Sequence, residues 1–221
     1  MKYLIFITSL VVVTWIYWRY FYFFRDPKRI PPSGNNILSP ADGTIVYVES
    51  IEGGVIPFSI KGKKRIELFE ITHKDLGDED FWHVGIFMHP TSVHVNRSPI
   101  DGIVKSIKYT PGKNLPMTIM WWRVLLGIRR FEKNSPHILS NERNTIIIEG
   151  KFPVCIVQIA DIYVNKIVCN VQLGENIKKG MRIGAIKMGS QVDLFFPKRS
   201  GFSVLVKPGD KVFAGESIIA K

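Results

Sequence analysis

Between residues 44 and 171 the chain repeats one pattern, a short β-branched run closed by a Gly, Pro or Asp turn. The runs fall at 44–48, 55–60, 84–88, 103–109, 145–149, 154–159 and 166–171. Val, Ile and Thr pack well in extended backbone, whereas Gly, Pro and Asp interrupt it and reverse the chain. Strands this short, without regular alternation with helices, predict an all-β sandwich or flattened barrel rather than α/β units.

Two internal echoes support that architecture. Ser39-Pro40-Ala41-Asp42-Gly43 returns as Ser98-Pro99-Ile100-Asp101-Gly102, each a Pro-x-Asp-Gly turn that launches a strand. VQLGENIKKG at 171–180 returns as VKPGDKVFAG at 206–215. The second echo resembles the turns of biotinyl and lipoyl carrier domains, whose paired glycines let the strands of a flattened barrel reverse tightly. A biotinyl/lipoyl-like C-terminal part is therefore expected.

Residues 1–24 are apolar almost throughout, broken by Arg19 among Trp and Tyr. The segment reaches the roughly 20 residues needed to cross a hydrocarbon core, with Arg19 snorkelling to an aromatic interface. A membrane anchor fits better than a cleaved signal peptide, because no small-x-small cleavage site follows. One Lys precedes the span, and Arg19, Arg25, Lys28 and Arg29 lie at or beyond its far end. The positive-inside bias puts the remainder on the cytoplasmic side of the cell membrane. Residues 25–36, rich in Pro, Gly and Asn, read as a linker, and 37–221 as one catalytic-sized domain.

The formal net charge of +11 implies an acidic partner. Without basic runs interleaved with aromatics beyond the N-terminal region, an anionic membrane surface is favoured and no nucleic acid is expected. Cys155 and Cys169 lie in apolar strand-like runs without Cys-x-x-Cys spacing, which reads as two reduced core thiols. Residues 115–128 place Trp121 and Trp122 beside basic residues. That composition suits either a buried element or a segment lying at a lipid interface.

The stretch at 185–197, AIKMGSQVDLFFP, carries the chemistry. As one strand it places Ile186, Met188, Ser190, Val192 and Leu194 on one face and Lys187, Gln191 and Asp193 on the other, so Ser190 is the hydroxyl of an apolar face. Five histidines are available: His73, His83, His89, His94 and His137. If 87–95 is one extended strand, His89 and His94 face opposite ways, and no metal site is expected.

AIKMGSQVDLFFP closely resembles the cleavage segment of the short-form phosphatidylserine decarboxylase proenzymes, a pyruvoyl-dependent family that includes archaetidylserine decarboxylases. The resemblance extends to FFRDPKR at 23–29, SPADG at 39–43, SVHVNRSP at 92–99, NERN at 141–144 and VQIA at 157–160. It implies that the Gly189–Ser190 bond breaks itself, leaving a β chain of 1–189 and an α chain of 190–221 as a heterodimer. Ser190 would become the covalent pyruvoyl cofactor, with Asp42 and His94 as the acid-base pair. The implied reaction is decarboxylation of phosphatidylserine, or a closely related serine phospholipid, to the ethanolamine form through a Schiff base. Two positions depart from the family: Ser92 stands where Asp is usual, and Arg97 where longer relatives carry a second histidine. Arg97 stays protonated at neutral pH and is read as a contact for anionic lipid.

Two other readings compete. A carrier module with Lys187 as its attachment lysine accounts for the glycine repeats, although Lys187 lacks the flanking acidic residue of biotinyl sites. A Ser-His-Asp hydrolase lacks its G-x-S-x-G elbow around Ser190.

Overall fold

The computed structural model describes residues 1–53, 55–56, 66–67, 71–72, 79–128, 136–162, 167–187 and 190–221. His73, Met188, Gly189 and most of the 55–60 run lie outside the described residues. The chain opens with α1 (Lys2–Tyr17), which continues into a π-helical turn (Trp18–Tyr22). Lys2–Tyr22 has a mean hydropathy of 1.6 and no buried residue in its most apolar window, and it is long and apolar enough to cross a membrane. Phe23, one residue on, is buried.

Short strands follow: β1 (Ile37–Leu38), β2 (Gly43–Ile51), β3 (Val55–Ile56), β4 (Ile66–Glu67), β5 (Phe81–Met88), β6 (Val95–Arg97) and β7 (Gly102–Thr110). Helices α2 (Thr118–Leu126) and α3 (His137–Ser140) then precede β8 (Arg143–Glu149), β9 (Pro153–Ala160), β10 (Ile167–Cys169), β11 (Asn176–Ile177), β12 (Arg182–Ile186), β13 (Ser190–Pro197), β14 (Lys211–Val212) and β15 (Ile218–Ala220). The expectation of an all-β domain behind an apolar N-terminal helix is met. The main sheet is a curled half-barrel of eight strands in the order β11-β7-β8-β9-β13-β5-β2-β14.

The two sequence echoes are one duplication. Lys211 and Val212 pair with Thr44 and Gly43, as Asn176 and Ile177 pair with Ile103 and Gly102. In each Pro-x-Asp-Gly turn the serine hydroxyl donates two residues ahead, Ser39 to the Ala41 carbonyl at 2.7 Å and Ser98 to that of Ile100 at 2.6 Å. Both launched strands carry a bulge at the same point, after Ile45 and after Val104. The turns also clasp each other: Leu38 N–H donates to the Pro99 carbonyl and Arg97 N–H to that of Pro40. Gly43 and Gly102 are needed for close approach, since a Cβ on either would lie 2.2 Å from the Phe87 carbonyl oxygen or 2.5 Å from that of Glu149.

The linker is strapped down by ion pairs. Asp26 bridges Arg97, at 2.6 Å, and Arg182, while Arg29 bridges Asp42 at 2.8 Å and Glu216 at 2.5 Å. Arg97 is thereby buried, and also donates to the carbonyls of Gly180 and Pro27. It is a structural strap, contrary to its reading as a lipid contact.

Four further expectations are corrected. Residues 185–197 are not one strand: β12 belongs to a three-stranded sheet with β10 and β6, β13 belongs to the main sheet, and exposed Lys187 lies between. Within β13 alternation holds, with Val192, Leu194 and Phe196 in one core cluster and Phe195 in a second on the other face. Gln191 and Asp193 are fully buried in that second layer, because β9 and β5 flank β13 and both sheet faces are covered. Residues 87–95 break after Met88, so His89 lies in a turn rather than on a strand shared with His94. Cys155 is buried but Cys169 is exposed; both are free. Residues 115–128 form neither a wholly buried nor a wholly exposed element: Met117 and Met120 are buried, while Ile119, Trp122, Leu125 and Leu126 are exposed.

Candidate active site

Ser190 opens β13, with Met88 of β5 opposite on one side and Ala160 of β9 on the other. It is completely buried, and its hydroxyl points at the Met88 thioether sulfur at 3.2 Å. Sulfur is a weak acceptor. The hydroxyl is thus held in place while its proton is poorly satisfied, the condition a nucleophile awaiting a base requires. Asn96 approaches the same sulfur with its amide at 3.6 Å and is itself held by Gln158, which is held by Asn144. This buried amide row runs from β8 across β9 to β6 and ends at the contact of Ser190. Its members lie in the NERN, VQIA and VHVNR motifs, yet single-residue reading gave no reason to select them.

His94 precedes β6, and its carbonyl accepts the Ile186 N–H at 3.1 Å. The histidine thereby sits beside the end of β12 that leads to residue 190. Its Nδ1 lies 2.8 Å from the Ser92 carbonyl oxygen, so Nδ1 carries the proton and Nε2 the lone pair. Nε2 is buried without a hydrogen-bond partner among the described residues. Burial pushes the imidazole pKa down to about 4; the Ser92 bond opposes the shift, and the charges of Arg25 and His89 add to it. At neutral pH the ring is therefore uncharged and can accept a proton. Phe23 covers it, ring centroids 4.1 Å apart.

Asp42 closes the first Pro-x-Asp-Gly turn. Its carboxylate accepts the Ala214 N–H at 2.7 Å and the Arg29 guanidinium at 2.8 Å. Burial raises its pKa despite both bonds, which favour the ionised form. Among the described residues no hydrogen bond joins Asp42, His94 and Ser190 to one another. Asp42 and Ser92 instead line a cleft of about 430 Å³, together with His89, next in sequence to Met88. Arg25 and Lys211 supply positive charge there, and Val124, Leu125 and Phe213 an apolar wall.

Behind β13 lies a polar network on the strand face opposite Ser190. Asp193 accepts from Tyr47 at 2.8 Å and lies 3.0 Å from His83 Nε2. Gln191 donates to Asp193 at 2.6 Å and faces His137 Nε2 at 3.3 Å. A carboxylate fully removed from water persists only when so surrounded. These bonds fix the register of the strand that begins at Ser190. The period-two pattern put these residues on the face opposite Ser190, but did not show what covers that face.

The sequence profile described as phosphatidylserine decarboxylase matches residues 16–220. The chain belongs to that family. A phosphatidylserine decarboxylase proenzyme of Pelodictyon phaeoclathratiforme is 38% identical over 202 residues, covering 90% of this chain and 77% of the relative. A proenzyme assigned to archaetidylserine decarboxylation in Methanocaldococcus jannaschii is 37% identical over 201 residues, covering 90% and 87%. One from Pelagibacter ubique is 34% identical over 218 residues, covering 96% and 82%. Membership in the phosphatidylserine decarboxylase family makes the chain a lyase, and a match of this length does not favour a carrier module built on Lys187.

Proposed function

We propose that the chain is a proenzyme that cleaves itself between Gly189 and Ser190 and then decarboxylates a serine phospholipid at a membrane. Two observations carry the reading: a buried Ser190 hydroxyl whose hydrogen-bond partner among the described residues is a thioether, and a neutral buried His94, bonded to the end of β12 through Ile186, whose Nε2 has no partner among the described residues. His94 would take the Ser190 proton, and Oγ would attack the Gly189 carbonyl, converting amide to ester. Loss of the Ser190 Cα proton then expels Gly189 as a carboxylate. Addition of water and loss of ammonia leave a keto group at residue 190, on the chain 190–221.

The site suits that group. Residue 190 is pinned on both sides by β5 and β9 and is fully buried. A pyruvoyl carbonyl there supplies the electron sink for the pair released as carbon dioxide leaves. The chain's own residues do the rest. Arg25 and Lys211 suit a lipid phosphate, and the Val124 and Phe213 wall suits acyl or isoprenoid chains. His94 and Asp42 serve as the acid-base pair, Asp42 being the carboxyl whose raised pKa brings it closer to proton exchange. The helix Lys2–Tyr22 anchors the enzyme, with the catalytic domain on the cytoplasmic side.

Mass analysis of the purified protein tests the first step. Wild type should give two chains, 1–189 and 190–221, the second without an N-terminal α-amine, and Ser190→Ala a single inactive chain. Two chains from Ser190→Ala would overturn self-cleavage by this serine. His94→Ala should slow cleavage by about 10²–10⁴-fold. Normal cleavage with lost turnover would confine His94 to the decarboxylation.

A further inference from the structure

Helix α2 is apolar on the face that packs and on the face that does not. Met117 and Met120 are buried, and Trp121 reaches His89 with its indole N–H at 2.5 Å. Around the rest of the same short helix, Ile119 is 57% exposed, Trp122 52% and Leu126 65%, with Ile128 just beyond at 51%. A soluble surface helix carries charge on its outer face. This one carries Arg123, and Arg129-Arg130 follow in sequence.

The position of α2 identifies what covers that face. Val124 and Leu125 line the cleft together with Arg25, three residues past the end of the N-terminal helical segment at Tyr22. Arg25 is fastened there, donating to the Thr91 carbonyl at 2.6 Å. The exposed Leu125 of α2 therefore lines the same cleft as the residue that fastens the end of the N-terminal helical segment to the domain. Aromatic and aliphatic side chains beside arginines match the interfacial layer of an anionic bilayer.

We infer that Ile119, Trp122 and Leu126 form a second lipid-docking surface, seated in the interface of the bilayer that α1 crosses, so that substrate passes from lipid to cleft without crossing water. The inference rests on reading α1 as a membrane span, and the test separates the two. Spin labels are placed in the full-length protein, with Cys169→Ser removing the exposed native thiol, at Val11→Cys, Leu126→Cys or Leu173→Cys. The protein is reconstituted in phosphatidylcholine–phosphatidylglycerol vesicles, and collisions with oxygen and with a water-soluble nickel chelate are compared. Positions 11 and 126 should both favour oxygen, 126 at shallower depth. Position 173, beside edge strand β11 at the end of the sheet opposite β14, should favour nickel.

A label at 126 that meets nickel while that at 11 meets oxygen overturns the docking surface alone. Nickel at both positions overturns the anchor as well. Spin-spin broadening at 126 that disappears on dilution with unlabelled protein would mean that a second copy covers the face, and also overturns the inference. The triple variant Ile119→Ser/Trp122→Ser/Leu126→Ser should self-cleave normally and act normally on a short-chain serine phospholipid dissolved below its micelle concentration. On the same headgroup embedded in vesicles it should lose about tenfold in rate, the loss of about 1.4 kcal/mol of surface binding. Equal loss on both substrates, or on neither, overturns the docking role.

Discussion

The turns at Asp42 and Asp101 share one backbone and have different fates. Each follows a serine whose hydroxyl closes the turn, and each aspartate accepts one N–H from the matching glycine-rich segment: Ala214 to Asp42 at 2.7 Å, Lys179 to Asp101 at 3.0 Å. Asp101 is exposed and stops there. Asp42 is buried, holds Arg29, and faces the cleft. The conserved geometry explains why either aspartate exists; only the difference in surroundings bears on function. An Asp in this turn is a structural cap by default, and the first copy has been enclosed by the linker and Phe213.

The largest expected effect tests that division. Asp42→Asn should slow turnover by about 10²-fold or more, as loss of a general acid-base group does. Its fold should survive, because the amide oxygen still accepts from Ala214 and Arg29 keeps Glu216. Asp101→Asn should leave turnover unchanged. Rate measurements on both, beside their melting temperatures, suffice. Equal losses of rate would make both turns structural caps.

Much of this was legible in the sequence, for physical reasons that particular residues make plain. Runs such as 103–109 and 154–159 announced strands because β-branched side chains between turn formers have few alternatives, and both echoes announced the duplication. That the echoes belong to one repeat was not legible, because their pairing joins segments far apart in sequence, Thr44 with Lys211 and Ile103 with Asn176. Gln191 and Asp193 misled for a related reason. Alternation assigns faces but says nothing of what covers them, and here His83, Tyr47 and His137 arrive from other elements. The role of Phe23 was hidden too, since an aromatic at the end of an apolar run looks like anchor until its ring is found packed against His94.

The next effect concerns pH and separates buried histidines from the duplicated turns. His94 and His137 both have pKa values pushed down to about 4 by burial, against 6.5 when unfolded. Between those values the unfolded chain binds protons that the folded chain refuses, so stability rises with pH through this window and falls as pH drops from 6.5 toward 4. Each histidine contributes up to about 3 kcal/mol. Denaturant melts at pH 7 and pH 5 should differ, and His137→Gln should reduce the difference. A flat profile in wild type would mean that neither ring is neutral in the fold. Phe23→Ala should raise the His94 pKa by admitting water, read by the ring's proton resonances, whereas Phe23→Leu should largely preserve it.

A smaller effect should treat the two copies alike. Gly43→Ala and Gly102→Ala each drive a methyl into a neighbouring carbonyl oxygen. Each should cost about 1–3 kcal/mol, the range for overpacking. A markedly cheaper change at Gly102 would place the firmer half of the sheet around β2 and β5.

The smallest effect makes the sharpest use of the duplication. Ser39 and Ser98 make the same buried hydrogen bond, at 2.7 Å and 2.6 Å, and neither is exposed. Removing either hydroxyl leaves one turn carbonyl without its side-chain donor, costing about 1 kcal/mol. The stability losses of Ser39→Ala and Ser98→Ala should therefore agree, since the energetics belong to the shared turn. Their effects on turnover should not agree. Loosening the first turn displaces Asp42 and with it the Arg29 strap, whereas loosening the second moves Asp101, which faces solvent. Equal stability loss with a rate loss confined to Ser39→Ala would show the same local bond supporting a site in one copy and only a fold in the other. Equal rate losses would instead mean that the clasp between the turns, through Leu38 and Pro99 and through Arg97 and Pro40, transmits disorder from either copy to the cleft.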